Sequence, residues 1–264
     1  MSDASLDGEL MDASAACIPV TDDGLLRGDG VFEVVRLYAG HPFALDEHLE
    51  RMVGSARTLR LRGFDPEAMR RDVTRLLAAG RPGDACLRLV ATAGGRRIVL
   101  LEPLPELPAA LRLTGVTYAP PRILDGVKSL SYAANMLATR MARERGADEA
   151  LMVTPHGRVL EGPRQAFFYV REGALLTPPL SDHILDSITR RRVFTVAGAR
   201  ERVTTLDDLA GAQEAFLAST LREVHPVAAV DDIAFAPVPG EVTARVGAAV
   251  RTRIETELGT LAPR

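Results

Sequence analysis

The sequence predicts a mixed α+β (α/β) fold in two lobes, because strand-like and helix-like segments occur in both halves and a proline-rich stretch lies between them. Runs rich in β-branched and aromatic residues, such as "GVFEVVRLYAG" and "CLRLVAT", are typical of strands. Runs whose apolar residues recur every three or four positions indicate helices. The segment "APPRILDG" is polar and rich in proline, which is typical of a link between domains. We therefore expect an N-terminal lobe over residues 1–118, a link over 119–126 and a C-terminal lobe over 127–264.

The first half is expected to hold a strand, two helices and three further strands. After the strand "GVFEVVRLYAG", Asp46 is placed to cap a helix with apolar residues at helical spacing: Leu49, Met52, Val53, Ala56 and Leu59. A second helix is predicted from Pro66, behind the cap residue Asp65, to Gly80. The runs "CLRLVAT", "RIVLL" and "LRLTGVTYA" then predict strands.

The second half has the same mixed character. A helix is predicted from about Ala133 to Gly146, followed by the short strands "EALMV", "RVLEG", "AFFYV" and "ALLT". A further helix begins near Ser187, and the strand "EAFLAS" ends at Ser219 and Thr220. A C-terminal helix carries apolar residues at helical spacing: Val242, Val246, Val250 and Ile254.

Composition excludes several classes of protein. A formal net charge of -3 with scattered arginines gives no basic stripe for nucleic acid. No apolar run approaches the roughly 20 residues of a membrane span, and the acidic start of the chain does not resemble a signal peptide. Cys17 and Cys86 are too few for a disulfide scaffold and lack metal-ligand spacing. We expect a cytoplasmic protein that binds neither nucleic acid nor a membrane and has no metal site.

One residue stands out on chemical grounds. Lys128, in "DGVKSLSYAAN", is the only lysine among 264 residues, and the other 31 basic residues counted with it are arginines. Arginine replaces a surface lysine at little cost, but it cannot lose its proton and form an imine with a carbonyl group. Lys128 is therefore a candidate attachment point for an aldehyde cofactor, and a surviving surface lysine is the alternative.

An aldehyde cofactor such as pyridoxal phosphate would need further groups. Hydroxyl residues at Ser187 to Thr189 and at Ser219 and Thr220, with Arg51, could bind a phosphate, and Glu161 could pair with a ring nitrogen. Each also has an ordinary explanation as a helix cap, a surface charge or a turn carboxylate. Periodicity alone does not choose between these interpretations.

The order of the motifs resembles the class IV pyridoxal-phosphate enzymes of fold type IV, which include branched-chain aminotransferases, D-amino-acid aminotransferases and aminodeoxychorismate lyases. The resemblance covers nearly the whole chain, through "GDGVFEVVR", "HLERMVGSA", "KSLSYAANMLA", "GADEALMV", "GRVLEG", "LTPPLSDHIL", "ITR" and "EAFLASTLREVHPV". It implies that Lys128 holds the cofactor, Glu161 pairs with its pyridine nitrogen and Tyr132 reaches its ring hydroxyl. The resemblance also implies a phosphate site, made of Arg51, Ile188, Thr189 and Thr220, and Ser219 is a further candidate for binding the cofactor.

The resemblance further implies a homodimer with the cofactor between the lobes, and a transaminase acting on a small amino acid, such as a branched-chain L- or D-amino acid, and a 2-oxo acid. For the substrate carboxylate the candidates are Arg36, Arg88 and the backbone amides near Leu221. Surface charges on strands are the alternative for both arginines.

Departures from the family pattern keep other functions open. "Thr92-Ala93-Gly94" lacks an arginine common in D-amino-acid aminotransferases, and the run Pro163-Arg164-Gln165-Ala166 replaces serines and an asparagine. Ser131 stands where asparagine is common, and Asp186-Ser187 replaces Pro-Gly. The alternatives are a lyase that releases 4-aminobenzoate and pyruvate from aminodeoxychorismate, and a pyridoxal-phosphate-binding protein without turnover.

Overall fold

Two units make up the chain in a computed structural model that describes residues 3–261. The first unit holds the chain up to Glu106 together with Gly126–Tyr132. The second holds Leu107–Asp125 and the chain from Ala133 onward. Among the described residues, no helix is long and apolar enough to cross a membrane.

The first unit is built on an antiparallel sheet. Its strands are β1 (Ala4–Leu6), β2 (Glu9–Met11), β3 (Gly30–Tyr38), β4 (His41–Pro42), β5 (Ala85–Thr92) and β6 (Arg97–Glu102). The strands lie in the order β2-β1-β6-β5-β3-β4. The helices of this unit are α1 (Asp23–Arg27), α2 (Leu45–Thr58) and α3 (Pro66–Gly80).

Alternation along β3 explains how this unit forms its core. Successive side chains of a strand point to opposite faces, so one face of β3 carries Val31, Val35 and Leu37 into the interior. Leu49 and Met52 of α2 pack there, because their spacing puts them on one side of the helix. The remaining buried residues of this core come from α2, α3, β5 and β6: Ala56, Met69, Val73, Leu76, Ala85, Leu87, Leu89, Ala91 and Val99.

The second unit contains a larger, mixed sheet. Its strands are β7 (Leu111–Thr117), β8 (Glu149–Val153), β9 (Ala166–Arg171), β10 (Ala174–Thr177), β11 (Arg200–Glu201), β12 (Glu214–Ser219), β13 (Glu223–Val230) and β14 (Ile233–Ala234). The order is β11-β10-β9-β12-β13-β7-β8, and β14 pairs with β13. The helices are α4 (Ala133–Glu144), α5 (Ile188–Ala197), α6 (Leu206–Leu209) and α7 (Glu241–Leu261). Phe168 of β9 and Phe216 of β12 stack, and Phe194 of α5 packs against Phe168.

The mixed α+β fold with two sheets agrees with the sequence prediction. The helix from Pro66 to Gly80 has the predicted bounds, and the Asp65 carboxylate accepts hydrogen bonds from the amides of Glu67 and Ala68. The predicted cap at Asp46 is wrong, because Asp46 lies inside α2, which begins at Leu45, and Ala44 occupies the cap position. The predicted strand "RVLEG" is also wrong, since these residues form only isolated bridges, between Val153 and Val159, Arg158 and Thr205, and Gly162 and Gln165.

The two units are divided differently from the predicted lobes in two places. Residues 107–118, expected in the N-terminal lobe, join the second unit because β7 pairs with β8 and β13. Residues 127–132, expected in the C-terminal lobe, join the first unit because they pair with β3. Lys128 therefore belongs to the first unit.

Candidate active site

Backbone pairing places Lys128 on the first sheet. The amide of Phe32 donates to the Lys128 carbonyl oxygen at 3.1 Å, and Val31 forms an antiparallel bridge with Ser129. Lys128 consequently lies opposite Phe32, and opposite residues of an antiparallel pair project to the same face. The Lys128 amide donates to Ser55 Oγ of α2 at 3.1 Å. The lysine backbone is thus fixed by both a strand and a helix.

Aromatic rings surround the lysine amine. Lys128 Nζ lies 4.4 Å from the ring centroid of Phe32 and 5.8 Å from that of Tyr132. The two rings meet edge to face, with their centroids 5.2 Å apart. This arrangement packs the amine against two aromatic rings, one of which belongs to Tyr132.

A buried polar cluster lies on the opposite face of β3. Glu33 accepts hydrogen bonds from Arg51 Nε to Oε1 and from Arg51 Nη2 to Oε2, each 2.7 Å long. His48 Nδ1 lies 2.7 Å from Glu33 Oε2. Glu33 and His48 are completely buried. Arg51, the predicted phosphate ligand, therefore donates two hydrogen bonds to the carboxylate of Glu33.

Charge and burial set the protonation of this cluster. Burial alone would raise the pKa of Glu33, but Arg51 and His48 outweigh it and lower that pKa to about 2. Burial lowers the pKa of His48, and this effect outweighs the Glu33 carboxylate, which raises that pKa; the positive charges of Arg51 and Lys128 lower it further. Near neutral pH the cluster consequently holds one carboxylate, one guanidinium and a neutral imidazole.

The candidate substrate arginines share the Phe32 face of the sheet. Arg36 lies four residues beyond Phe32 on β3, about 13 Å along the strand, and its guanidinium contacts the ring of Tyr38. Arg88 of β5 lies nearer, because its register partner on β3 is two residues from Phe32. Its guanidinium is paired with Glu102, with Nη2 to Oε2 at 2.9 Å.

In the second unit, Glu161 is joined to the segment that precedes α5. Its Oε1 accepts a hydrogen bond from the Leu185 amide at 3.2 Å, and its carbonyl oxygen accepts one from the Met152 amide. Burial raises the pKa of the Tyr118 hydroxyl, and the negative charge of Glu161 raises it further. The Glu161 carboxylate is thus held near the start of α5.

The start of α5 has the features of an anion-binding end. Ser187 caps the helix, and its Oγ accepts the Arg190 amide at 3.1 Å. Ile188 and Thr189 form the buried first turn. Their amides have no acceptor inside the helix, because the first turn of any α-helix lacks one. Since Leu185 lies three residues before Ile188, the Glu161 bond also brings this turn toward the carboxylate.

The third predicted group forms a tight turn between β12 and β13. Ser219 pairs with Glu223, and Ser219 Oγ accepts the Arg222 amide at 3.4 Å. On the neighbouring strand, Ala166 is the partner of the residue before Ser219. Ser219, Thr220 and Leu221 therefore lie at the sheet edge where the chain arrives from Glu161.

Thr92 and Gly94, which flank the departure at Ala93, have structural roles. Thr92 Oγ1 donates to Asp22 at 2.8 Å, and Asp22 caps α1 by accepting the Gly24 amide. A Cβ at Gly94 would lie 2.2 Å from the Asp22 carboxylate, so a larger residue does not fit there. The turn at residues 92–94 thus secures α1.

Sequence reasoning missed the contacts that surround Lys128 and Arg51. Phe32, Glu33, His48 and Ser55 were not assigned roles. A signal for them was present, because Glu33 occupies a position of β3 that alternation buries, and residues 48, 51 and 55 recur at helical spacing. A charged residue at an interior strand position calls for a buried partner.

Among the described residues, no cluster of three or more histidine, cysteine, aspartate or glutamate side chains could hold a metal ion. The first unit holds an amine and a guanidinium that is bound by a buried carboxylate. The second unit holds a carboxylate beside a serine-capped helix start. Groups of these kinds bind anionic, carbonyl-bearing cofactors.

Comparison with known sequences identifies relatives along most of the chain. A sequence profile of the family described as amino-transferase class IV matches residues 30–230. A protein assigned as a branched-chain-amino-acid aminotransferase in Methanocaldococcus jannaschii is 35% identical over 86% of this chain and 87% of its own. A bifunctional aminodeoxychorismate lyase and D-amino acid transaminase of Mycobacterium tuberculosis is 30% identical, over 82% of this chain and 87% of its own.

Solved structures show the same architecture. CpuTA1, a fold IV transaminase from Curtobacterium pusillum, superposes with a TM-score of 0.84 at 30% identity and covers 94% of this chain and 98% of its own. A hypothetical aminotransferase from Mycobacterium tuberculosis, in its PLP-bound form, gives a TM-score of 0.83 at 25% identity over 95% and 99% of the two chains. The fold is thus that of the fold-type IV transaminases. The chain belongs to the class IV aminotransferase family and is an aminotransferase.

Proposed function

We propose that this enzyme uses pyridoxal phosphate to move an amino group between a small amino acid, of the branched-chain L- or the D-series, and a 2-oxo acid. The observation that carries the proposal is the pairing of Lys128 with Phe32, which sets the only lysine amine of the sequence against two aromatic rings. The PLP-bound form of a structural neighbour supports the choice of cofactor.

The residues present fit that cofactor. The proposal gives Lys128 the covalent attachment, Tyr132 the ring hydroxyl and Glu161 the pyridine nitrogen. The phosphate is assigned to Arg51, Ile188, Thr189, Ser219 and Thr220. Two observations support this assignment. The Arg51 guanidinium is held in place by two hydrogen bonds to Glu33, and the first turn of α5 is buried and capped by Ser187. A fixed guanidinium and the amides of a helix start both favour binding of phosphate.

Bound pyridoxal phosphate would supply an aldehyde carbon for amines and a ring that withdraws electrons from the substrate Cα. Lys128 Nζ, released when a substrate amine takes its place, accepts the proton of the substrate Cα and returns it as general base and acid. The carboxylate of Glu161 favours a proton on a neighbouring ring nitrogen by direct charge pairing. The aromatic surface of Phe32 and Tyr132 keeps water from one side of the amine.

The substrate carboxylate is assigned to cationic and amide donors. Arg88 and Arg36 lie on the Phe32 face of the first sheet, and Arg88 is the nearer of the two to Phe32 in register. The turn at Thr220 and Leu221 offers backbone amides. Arg88 would have to share its guanidinium between Glu102 and the substrate.

A lyase that releases 4-aminobenzoate and pyruvate from aminodeoxychorismate is the second candidate. It is favoured by the Mycobacterium tuberculosis relative, whose name combines both activities. To separate the two, the protein loaded with pyridoxal phosphate is mixed with L-leucine, D-alanine or aminodeoxychorismate. Conversion of the cofactor absorbance to that of its aminated form with an amino acid supports transamination. Pyruvate release from aminodeoxychorismate alone would favour the lyase.

Lys128→Arg tests the covalent attachment. We expect the parent protein to be yellow and borohydride to fix the cofactor on Lys128, as detected by digestion and mass spectrometry. The arginine variant keeps the positive charge but cannot form the carbon–nitrogen double bond, so its label and its turnover should be absent. A variant that retains turnover, or a label on another residue, would contradict the assignment.

A homodimer is proposed from the family resemblance and supported by exposed apolar side chains in α1. Leu25 and Leu26 are each 58% exposed, because Asp22 and Thr92 secure this short helix through polar contacts. Leu25→Glu should shift the mass measured by light scattering from dimer toward monomer. Val203→Glu, at an exposed apolar residue of the second unit, is the matched control. A parent protein that is fully active as a monomer would refute the dimer.

The cytoplasmic location remains a prediction from the sequence.

A further inference from the structure

Glu149, at the start of β8, is a buried carboxylate to which no role has been given. Its side chain is 1% exposed. Thr139 Oγ1 of α4 donates to its Oε1 at 2.6 Å. Arg164 Nη2 and Gln165 Nε2 donate to its Oε2 at 2.8 and 3.4 Å. Glu149 therefore connects a helix and a loop to the sheet.

The loop bound to Glu149 directly follows Glu161. The Gly162 amide donates to the Gln165 carbonyl oxygen at 2.8 Å, so the loop turns back on itself. A Cβ at Gly162 would lie 2.6 Å from Gln165 Oε1, which shows how closely that side chain is packed. Asn135 of α4 donates to the Pro163 carbonyl oxygen at 2.8 Å. Arg164 and Gln165, the residues that depart from the family pattern, thus bind inward to Glu149.

The same carboxylate reaches the turn after β12. Arg222 Nη2 lies 4.0 Å from Glu149 Oε2, and the Arg222 side chain is 12% exposed. Burial lowers the pKa of Arg222, Arg164 acts in the same direction, and Glu149 acts against both. One carboxylate consequently offsets two guanidiniums, which would repel each other and seek solvent without it.

We propose that Glu149 is a positioning residue of the cofactor site, holding the loop after Glu161 through Arg164 and the turn of Thr220 through Arg222. This inference rests on the proposed function. Glu149 need not touch the cofactor, because it acts through the backbone on which Glu161 and Thr220 lie. Its loss should disturb the contacts to the pyridine nitrogen and to the phosphate together.

The test compares Glu149→Gln with Asp208→Asn. Asp208 is a chemically matched control in the same unit, since it also binds one threonine hydroxyl, of Thr205, and two arginines, Arg171 and Arg202. Asp208 lies on α6, and its partners Thr205, Arg171 and Arg202 belong to neither the loop nor the turn. Pyridoxal phosphate is titrated into each protein, and the absorbance of the bound cofactor is then followed against pH.

We expect Glu149→Gln to bind pyridoxal phosphate about tenfold more weakly than the parent, which corresponds to about 1.4 kcal/mol, and to shift the pH dependence of the absorbance. Asp208→Asn should remain within about twofold of the parent, since the two guanidiniums that lose this carboxylate, Arg171 and Arg202, bind neither the loop nor the turn. The double variant Glu149→Gln/Arg222→Gln should bind no better than Glu149→Gln, because the turn of Thr220 is held through Arg222. Recovery of the parent affinity in the double variant would mean that Glu149 only neutralises Arg222, and it would overturn the positioning role.

Equal losses in Glu149→Gln and Asp208→Asn, or a Glu149→Gln protein that melts earlier but binds and titrates like the parent, would overturn the role. If Glu149→Gln does not fold, Arg164→Gln serves instead, because its side chain is 39% exposed; unchanged cofactor affinity there would overturn the proposal. A parent protein that binds no pyridoxal phosphate would overturn the proposed function itself.

Discussion

At the scale of single residues, this site depends on charges that are buried and paired. Glu33 is the clearest case, because a carboxylate with no exposed surface is stable only when strong donors surround it. Arg51 and His48 supply three such contacts. The carboxylate in turn fixes the direction of the Arg51 guanidinium, which a long side chain would otherwise sample freely.

Glu33→Gln tests whether the two hydrogen bonds between Arg51 and Glu33 support phosphate binding. An amide offers one acceptor instead of two, so Arg51 loses its two-point contact. We expect affinity for pyridoxal phosphate to fall by about tenfold or more, while affinity for pyridoxal, which lacks the phosphate, changes by less than about twofold. Both are measured by absorbance titration. Asp72→Asn is the control, because Asp72 is a buried partner of Arg97 in the same unit. Equal losses for both ligands would show that Glu33 acts on folding alone.

At the scale of elements, the start of α5 joins local sequence chemistry to the proposed function. The run Ser187-Ile188-Thr189 forms a cap and a first turn because the Ser187 hydroxyl satisfies one amide that the helix leaves open. The remaining amides at this end carry a partial positive charge. A phosphate would accept hydrogen bonds from the amides that the Ser187 cap does not satisfy.

Ser187→Ala should therefore affect both stability and binding. Loss of the cap is expected to lower the free energy of unfolding by about 1 kcal/mol in urea titrations without cofactor. It should also weaken pyridoxal phosphate binding by roughly threefold, since the frayed turn no longer holds its amides in place. Thr205→Ala removes the cap of α6 instead and is expected to cost similar stability with unchanged affinity. Equal affinity losses in the two variants would contradict the assignment of α5.

The sequence predicted features that depend on neighbouring residues better than features that depend on residues far apart in the chain. Local signals predicted α3 from its Asp65-Pro66 start, and β3 from its β-branched and aromatic residues. The cap at Asp46 was misplaced because the chain enters α2 through a left-handed Ala44 that no propensity favours. The pairing of Lys128 with β3 joins residues far apart in the chain, and periodicity contains no register between distant segments. Glu149 was missed for the same reason, since its partners come from three separate segments.

At the scale of the whole molecule, both units contain carboxylates that the fold keeps ionised. Glu33 in the first unit has a pKa lowered to about 2 by Arg51 and His48 in spite of its burial. Burial would likewise raise the pKa of Glu149 in the second unit, but hydrogen bonds from Thr139 and Arg164 lower it. Each such carboxylate binds its proton more readily in the unfolded chain than in the folded one. Acid therefore favours unfolding in both units.

His48 also makes the fold sensitive to acid, because its buried imidazole would become positively charged when it binds a proton. Its folded pKa lies below the ordinary value of 6.5, chiefly because of burial, so the unfolded chain takes up a proton first. The stability that the neutral imidazole provides is present above pH 6.5 and declines as the pH falls below it.

Urea unfolding of the parent and Glu33→Gln between pH 7 and pH 3 tests the carboxylate contribution. The folded pKa of Glu33 is depressed from 4.5 to about 2, so its stabilisation is fully present above pH 4.5 and is lost as the pH falls toward 2. The shift corresponds to on the order of 3 kcal/mol at pH 7. We expect the parent to be more stable than Glu33→Gln at pH 7 and the difference to shrink steadily below pH 4.5.

Asp72→Asn, compared in the same way, controls for the general loss of a buried ion pair. The stability difference between the parent and Glu33→Gln could instead stay constant down to pH 3. Glu33 would then keep an ordinary pKa in the folded protein, and its charge pairing with Arg51 and His48 would be too weak to hold the Arg51 guanidinium in place for a phosphate.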